Sequence, residues 1–306
     1  MERVLVLGSN GLVGKTVTNK LNNSTKISKV YASTRSDANL FLFDDTYRLI
    51  KETSPNIIIN AAAKVGGIQA NNTQRTDFIL ENLKINMNLL ESIKDFPDIK
   101  IINLGSSCIY PLDADNPIVE DSFLQGKLEP TNAPYAMAKI TAIEIGRAIS
   151  HEYGNNILNL MPTNLYGPFD HFNNEDSHVI PGLFYRMNNA LENKQEAFKL
   201  WGTGTPLREF LYSEDLADAI EFLLDKEVTT DLINIGSNEE ISIKDLAYMI
   251  KDLLGYEGEI IFDDTKPDGN PRKLLDSSLI NSLGWKSSTS LEEGLLKTYN
   301  WFKDNK

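Results

Sequence analysis

The only cysteine of the chain, Cys108, lies in the segment Gly-Ser-Ser-Cys-Ile-Tyr-Pro at residues 105–111. This segment directly follows an apolar stretch that is predicted to be a buried strand. A lone buried cysteine is most often a small core residue, whereas a thiol in a perturbed environment can exchange protons near neutral pH. The residues around Cys108 leave both interpretations open.

A second reactive pattern is formed by Tyr135 and Lys139, which are four positions apart at the start of a predicted helix. This spacing places both side chains on one helical face, where an ammonium group is expected to lower the pKa of the phenol. Such a phenol can exchange a proton with a carbonyl or hydroxyl oxygen during hydride transfer. Ser106, just past a predicted strand, could hydrogen-bond the same oxygen.

A glycine turn is predicted between the first strand and the first helix, where Gly8, Gly11 and Gly14 form the pattern G-x-x-G-x-x-G. Glycines allow a tight turn and let the backbone approach a pyrophosphate at a helix N-terminus, where free N–H groups favour anions. A tight turn without a ligand would use the same residues. The flanking strand and helix favour a dinucleotide site.

The end of the second predicted strand indicates whether the bound dinucleotide carries a 2′-phosphate on its ribose. This strand ends with Ser33-Thr34-Arg35. Arg35 suits a 2′-phosphate, which a guanidinium group can hold through two N–H groups. Asp37 keeps NAD possible, because an acidic residue in this region can bind the ribose 2′-hydroxyl. The sequence favours NADP(H).

The elements that would position these residues alternate between short apolar runs and helical segments. Strands are predicted at Val4–Leu7, Val30–Ser33, Ile57–Ala61, Ile99–Leu104 and Ile157–Met161. This alternation is typical of an α/β protein with a Rossmann-type, doubly wound parallel sheet. Ligands of such sheets bind at the carboxyl ends of the strands, which is where Ser106 and the glycine turn lie.

The second half is less regular, with helices predicted near Val179–Leu191, Glu214–Leu224, Ile243–Leu254 and Leu291–Phe302. We predict a dinucleotide-binding domain at residues 1–165 and a smaller α/β substrate-binding domain at residues 166–306. Whether later strands return to the first domain stays open at this stage.

Composition limits the classes of partner. The chain has 306 residues and a formal net charge of −13, so phosphate backbones are repelled and nucleic acid is an unfavourable partner. One cysteine cannot form an intrachain disulfide, and no run of 18 apolar residues occurs. We expect a cytoplasmic protein with no membrane partner and no metal ion.

The glycine turn, Ser106 and the Tyr-x-x-x-Lys pattern together resemble the extended short-chain dehydrogenase/reductases. The resemblance implies that Tyr135 is the proton donor, that Lys139 holds the nicotinamide ribose and tunes Tyr135, and that Ser106 polarises the substrate oxygen. Many members of that family act on nucleotide-linked sugars.

Longer segments narrow the resemblance. They are Ala-Ala-Ala-Lys-Val-Gly-Gly-Ile at 61–68, the cysteine segment at 105–111, Met-Pro-Thr-Asn-Leu-Tyr-Gly-Pro at 161–168, Ser-His-Val-Ile-Pro at 177–181, the segment at 201–211 and Lys-Pro-Asp-Gly-Asn-Pro-Arg-Lys at 266–273. In this order they resemble the GDP-L-fucose synthase family, whose members are GDP-4-keto-6-deoxy-D-mannose 3,5-epimerase/4-reductases. The resemblance covers nearly the whole chain.

The family implies roles for the thiol and for one imidazole. Cys108 would be the base and His178 the acid in epimerisation at C3 and C5, after which NADPH would reduce C4. Without the resemblance, Cys108 would be interpreted as a core residue and His178 as a residue at the start of a helix.

The resemblance also assigns binding residues. For NADP(H) they are Gly8, Ser9, Asn10, Gly11, Leu12, Val13, Gly14, Arg35, Ala62, Leu104, Gly105, Lys139, Pro162, Thr163, Asn164, Leu165 and His178. For the GDP-sugar they are Arg186, Trp201, Arg208, Asp268 and Lys273. Cations there make sense, because an acidic protein must bind a pyrophosphate locally. A homodimer built from helices of the first domain is implied as well.

The chain departs from the family in two places that bear on the site. Asn10 stands where many relatives are expected to carry a basic residue, so the NADP(H) prediction depends on Arg35. His171 in the polar loop at 169–176 is unexpected. Two alternatives remain: another nucleotide-sugar epimerase, dehydratase or reductase of the same family, and a catalytically silent protein that senses the dinucleotide.

Overall fold

The computed structural model describes residues 1–173, 177–266 and 268–306. Its strands are β1 Glu2–Leu7, β2 Ile27–Ser33, β3 Ile57–Asn60, β4 Lys100–Leu104, β5 Ile157–Pro162, β6 Asn164–Tyr166, β7 Ala197–Trp201, β8 Leu207–Tyr212, β9 Leu232–Ile235, β10 Glu240–Ser242, β11 Glu259–Asp263 and β12 Arg272–Lys273. Its α-helices are α1 Leu12–Asn22, α2 Phe43–Thr53, α3 Ile68–Thr73, α4 Arg75–Ile93, α5 Ala133–Tyr153, α6 Val179–Glu192, α7 Ser213–Leu224, α8 Ile243–Leu254, α9 Ser278–Ser282 and α10 Leu291–Asp304.

The central sheet has the strand order β2-β1-β3-β4-β5-β9, and each neighbouring pair is parallel. The five strands predicted from apolar runs are all present, so the predicted α/β class is confirmed. Continuous apolar runs arise here because helices cover both faces of the sheet. On β1, Val4 and Val6 pack towards α7, whereas Leu5 and Leu7 pack towards α4 and α5.

The chain returns to this sheet after residue 166. Strand β9 is its sixth strand within the described residues, and α7 packs against α1. The sequence left this return open, because a four-residue strand far along the chain gives no signal of which sheet it joins. The remaining strands form smaller sheets outside the central one: β8 pairs with β6, β10 and β12, and β7 pairs with β11.

Helix α5 carries the predicted Tyr-x-x-x-Lys pattern and is bounded as its sequence indicates. It has Pro134 in its first turn and ends at Gly154, whose φ of 79° is favourable for glycine. Asn132 precedes the helix, but its side chain does not cap it. Instead, the carboxylate of Glu129 accepts hydrogen bonds from the backbone N–H groups of Thr131 and Asn132, at 3.1 Å each.

Candidate active site

The glycine turn joins β1 to α1 through close backbone contacts. A Cβ atom on Gly8 would lie 2.7 Å from Cα of Ala62, and one on Gly14 would lie 2.2 Å from the carbonyl oxygen of Gly8. Gly8 also has φ +75°, in the left-handed region. The turn therefore requires glycine at both positions, and it brings the N-terminus of α1 next to the loop after β3.

At the end of β2, Arg35 is exposed and lines the main cleft, together with Asn10. Asp37 is occupied within its own turn, because its carboxylate accepts hydrogen bonds from the backbone N–H and the hydroxyl of Thr34, both at 2.8 Å. These two bonds lower the pKa of Asp37. Arg35 thus lies exposed at the cleft, while the carboxylate of Asp37 is bonded to Thr34, and this arrangement favours the 2′-phosphate over the free hydroxyl.

Cys108 lies in a short 3₁₀ turn, Ser107–Ile109, directly after β4. Oγ of Ser106 accepts a hydrogen bond from the backbone N–H of Cys108 at 3.2 Å. The thiol is partly exposed, and two donors reach its sulfur at 3.5 Å, namely Nδ2 of Asn132 and Nζ of Lys273. A sulfur atom that faces an amide and an ammonium group in a cleft is not packed as a core residue, so the structure favours the reactive interpretation.

Tyr135 and Lys139 project from α5 into the same cleft. Lys139 is 3% exposed, and its Nζ donates to the carbonyl oxygen of Leu104 at 2.6 Å. Burial lowers the pKa of Lys139 to about 8. The sequence predicted that this ammonium group would lower the pKa of the phenol, but in the structure the pKa of Tyr135 is raised. Burial is the main cause, and Ser106 opposes it by hydrogen bonding.

His178 occupies the position before the first residue of α6, and its ring is 44% exposed. Its Nδ1 lies 4.0 Å from Oδ1 of Asp170, whose side chain is only 7% exposed. Burial raises the pKa of Asp170, while the nearby His178 acts in the opposite direction. The imidazole therefore faces the cleft with a buried carboxylate close to it.

The far end of the cleft is cationic. The guanidinium group of Arg186 lies 4.7 Å from the centre of the Trp201 ring, and Trp201 itself is 40% exposed. Arg208 donates to the backbone oxygen of Asp268 at 3.4 Å, and burial lowers the pKa of both arginines. The Asp268 carboxylate is bonded to the backbone N–H and the hydroxyl of Thr203, at 2.8 Å each. The cations are therefore left available to an anionic ligand.

One cleft of about 1460 Å³ connects these groups. All five predicted catalytic residues line it, as do all five predicted GDP-sugar residues. Of the predicted dinucleotide residues, only Ser9 and Gly14 are outside the lining, and they shape the glycine turn instead: Oγ of Ser9 bonds to the backbone oxygen of Ser33 at 3.0 Å. Asn174, Glu175 and Asp176 of the polar loop, and Pro267 of the Lys-Pro-Asp-Gly segment, lie outside the described residues.

Sequence reasoning missed several polar side chains of the cleft, among them Asn132, Glu129 and Asp170. Asn132 lies three positions before Tyr135 and directly before α5, where an asparagine is typical of a helix cap and so gives no sign of a role in the cleft. Glu129 and Asp170 carry no motif signal of their own. Their roles depend on contacts with residues elsewhere in the fold, which spacing along the chain does not reveal.

Comparison with known proteins agrees with this geometry. Residues 4–236 match the NAD dependent epimerase/dehydratase family. The chain belongs to this family. Among members of the family, GDP-L-fucose synthase 1 of Arabidopsis thaliana is 45% identical over 303 residues, covering 99% of this chain and 94% of that protein. GDP-L-fucose synthase of Sinorhizobium fredii is 44% identical, covering 99% and 96%.

Solved structures with this fold also align with nearly the whole of this chain. A GDP-L-fucose synthetase from Naegleria fowleri bound to NADP has a TM-score of 0.90 and 30% identity, and the alignment covers 99% of this chain and 94% of that one. None of the helices in the described part of the chain combines the length and the apolar character that a membrane span requires.

Proposed function

We propose that this protein is an NADPH-dependent enzyme that converts GDP-4-keto-6-deoxy-D-mannose to GDP-L-fucose. It first inverts C3 and C5 and then reduces the C4 ketone. The observation that carries the proposal is the presence of a thiol, an imidazole and a phenol–lysine pair in one cleft, between a glycine turn and a cationic end. The similarity to GDP-L-fucose synthases over 99% of the chain supports it.

The residues present fit NADP(H). Gly11, Leu12 and Val13 place the N-terminus of α1 in the cleft lining, where backbone N–H groups would meet a pyrophosphate, and Arg35 with Asn10 would hold the 2′-phosphate. Leu104, Gly105 and the segment 162–165 would border the nicotinamide, and Lys139 would hold its ribose. When bound, the cofactor supplies the hydride for C4.

Epimerisation needs one group to remove an α-proton and another to return a proton on the opposite face. The thiolate of Cys108 takes the proton from C3 or C5, leaving a thiol and an enolate that the 4-keto oxygen stabilises. The imidazolium of His178 then gives its proton to the same carbon, which restores the ketone and leaves a neutral imidazole. The partly exposed thiol and imidazole regain their starting proton states through solvent.

Reduction uses the phenol of Tyr135. Its raised pKa keeps the proton on the phenol at neutral pH, so Tyr135 can donate it as negative charge develops on the C4 oxygen. The hydroxyl of Ser106 hydrogen-bonds the same oxygen, and during epimerisation the two hydroxyls hold the enolate oxygen.

Recognition of the GDP-sugar depends on the cationic end. Arg208 and Lys273 suit the pyrophosphate, and the exposed ring of Trp201 with Arg186 stacked on it provides a flat surface for the nucleotide. Asp268 fixes the loop that carries Thr203 and contacts Arg208 through its backbone oxygen.

The proposal is tested by mixing the purified protein with GDP-4-keto-6-deoxy-D-mannose and NADPH in deuterated water. NADPH oxidation together with deuterium at C3 and C5 of the product, read by NMR, is the expected result. Oxidation without deuterium would indicate a simple C4 reductase. If neither occurs, the protein is a different nucleotide-sugar enzyme or a dinucleotide sensor.

We also propose a cytoplasmic homodimer without nucleic-acid or membrane partners. Leu80 and Met87 are seven positions apart on α4 and are 47% and 48% exposed, and Met137 on the packed helix α5 is 45% exposed. This apolar surface supports association through helices of the first domain. Light scattering is expected to give twice the chain mass, and the Met87→Glu variant is expected to give the monomer. A parent of monomer mass would contradict the dimer.

A further inference from the structure

Asp170 is a buried carboxylate whose hydrogen bonds are incomplete. Its side chain is 7% exposed, and Oδ1 accepts one hydrogen bond, from the backbone N–H of His171 at 2.8 Å. Oδ2 is fully buried and has no partner among the described residues. A carboxylate in this situation is costly to the fold unless a cation or further donors compensate it.

The backbone before Asp170 is held in an unusual conformation. Phe169 has φ +70°, in the left-handed region that residues with a side chain rarely adopt, and its ring packs edge-on against Trp301 at 5.3 Å. Such a conformation is costly for a residue with a side chain and persists only where the surroundings enforce it. The fold thus maintains a strained residue directly before the buried carboxylate, at the edge of the catalytic cleft.

The imidazole of His178 lies beside this carboxylate, with Nδ1 at 4.0 Å from Oδ1. His178 precedes the 14-residue helix α6, and its side chain makes no capping hydrogen bond. The positive end of a helix dipole disfavours an imidazolium at this position. If His178 is to act as an acid, a negative charge must compensate the dipole.

Charged groups around His178 come from three parts of the chain. A side cavity of about 330 Å³ next to the ring is lined by Arg35, Lys64, His171 and Asp170. Lys64 has its own carboxylate, Glu81, at 3.5 Å. Asp170 is the one acidic residue among the described residues that line this cavity, so it is the available counter-charge for the imidazole.

We propose that Asp170 is a positioning residue for His178. Its carboxylate accepts the Nδ1–H of the ring, which leaves Nε2–H on the opposite side of the ring to protonate the substrate carbon. The inference rests on the proposed epimerisation. In this step the Nε2–H bond breaks and a C–H bond forms, so that enolate and imidazolium become ketone and neutral imidazole. Nδ1 keeps its proton, which it donates as a hydrogen bond to the carboxylate of Asp170.

The 4.0 Å separation is longer than a hydrogen bond, as is common for catalytic pairs without substrate, which tighten when the ligand binds. The pairing fixes two properties that catalysis needs. It selects the tautomer with a proton on Nδ1, and it supplies the charge that stabilises the imidazolium beside the N-terminus of α6.

The first test needs no substrate. The chain has three histidines, so ¹⁵N-labelled protein gives few imidazole signals, and a His178→Gln variant assigns those of His178. With GDP and NADP⁺ bound, we expect Nδ1 of the neutral ring to carry the proton in the parent, and the Asp170→Asn variant to shift the ring towards the Nε2–H form. An unchanged tautomer in Asp170→Asn would overturn the proposal.

The second test separates the two halves of the reaction. Asp170→Asn is expected to slow deuterium incorporation at C3 and C5 by roughly 100-fold, within the range typical of acid–base groups, and to change NADPH oxidation on pre-epimerised substrate by less than about threefold. Asp170→Glu is expected to restore part of the incorporation, because the gap leaves room for a longer side chain.

Asp215→Asn is the matched control. Asp215 is also a buried carboxylate, at 2% exposure, but it bonds to Ser288 and Thr289 and does not line the cleft. We expect lower stability and an unchanged ratio of epimerisation to reduction. If Asp170→Asn lowers both activities equally, as a purely structural residue would, the proposal is wrong. If the parent protein consumes no substrate, the proposed function is refuted. The tautomer measurement, which needs no substrate, would still decide whether Asp170 orients His178.

Discussion

Nζ of Lys273 lies 3.5 Å from Sγ of Cys108, although 165 positions separate the two residues. The contact exists because β12 pairs in parallel with β8, with Lys273 opposite Arg208. The second half of the chain thereby brings a cation to a thiol that follows the central strand β4. An ammonium group at this distance attracts the negative charge that the sulfur carries while it acts as a base.

Replacing Lys273 with methionine should therefore make the thiol less reactive. We expect alkylation of Cys108 by iodoacetamide at pH 7 to slow by about tenfold in Lys273→Met, because the thiolate loses its nearest cation. As Cys108 is the only cysteine, mass spectrometry reads the modification directly. Lys226→Met, a change remote from the cleft, is the control. Equal alkylation rates in the parent and Lys273→Met would contradict the role.

Cys108→Ser tests the base itself. A serine hydroxyl is far less acidic than a thiol, so deuterium exchange at C3 and C5 should fall by at least about 100-fold. NADPH affinity, measured by fluorescence titration, should stay within about twofold, because the thiol is outside the set of residues assigned to the dinucleotide. Full epimerase activity in this variant would return Cys108 to a structural role.

The pH dependence of reduction should follow Lys139. Burial lowers its pKa to about 8, so the ammonium is present below that pH and is lost above it. The pKa of Tyr135 is raised, so the phenol keeps its proton over the same interval. Single-turnover NADPH oxidation is thus expected to be level up to about pH 8 and to decline above it. Tyr135→Phe should be at least about 100-fold slower at every pH. An enzyme whose rate keeps rising beyond pH 9 would disprove the assignment to Lys139.

Selection of NADPH over NADH should depend on Arg35. A hydrogen bond to a charged group contributes about 1.5–3 kcal/mol, so Arg35→Ala should raise the Kd of NADPH by about 10- to 100-fold and leave that of NADH within about twofold. Asn10→Arg should act in the opposite direction, since it adds a cation to the same end of the cleft. Isothermal titration with both dinucleotides measures the difference. Equal losses for the two would exclude a contact with the 2′-phosphate.

The sequence was sufficient for the parts of this molecule that depend on local patterns. Apolar runs located the first five strands, and the glycine turn and the Tyr135–Lys139 spacing located the cleft. It was insufficient where two distant segments meet. The direction of the pKa shift of Tyr135 was predicted wrongly, because burial of the phenol dominates it, while the ammonium group of Lys139 donates to the backbone oxygen of Leu104. Strands as short as β10 and β12 have too few residues to show a period.

A ladder of buried asparagines crosses the central sheet and is another feature that only the fold reveals. Asn60, Asn103 and Asn159 are side by side on β3, β4 and β5, each 1% exposed. Nδ2 of Asn60 donates to Oδ1 of Asn103 at 2.9 Å, and Nδ2 of Asn103 donates to Oδ1 of Asn159 at 3.0 Å. Oδ1 of Asn60 also accepts the backbone N–H of Ala62 at 3.3 Å, so the ladder connects to the loop that meets Gly8.

Asn103→Leu would interrupt this ladder in the middle. The change leaves the amide of Asn60 and the oxygen of Asn159 each short of a buried partner, at about 1–3 kcal/mol apiece. We therefore expect the free energy of unfolding, measured by urea denaturation, to fall by about 2–6 kcal/mol. Asn155→Leu is the matched control, because the side-chain hydrogen bonds of this buried asparagine within the described residues go to the backbone oxygens of Ile93 and Phe96. Its loss therefore leaves no second side chain of the described residues without a partner. Equal destabilisation by the two variants would mean that the ladder adds nothing beyond its separate hydrogen bonds.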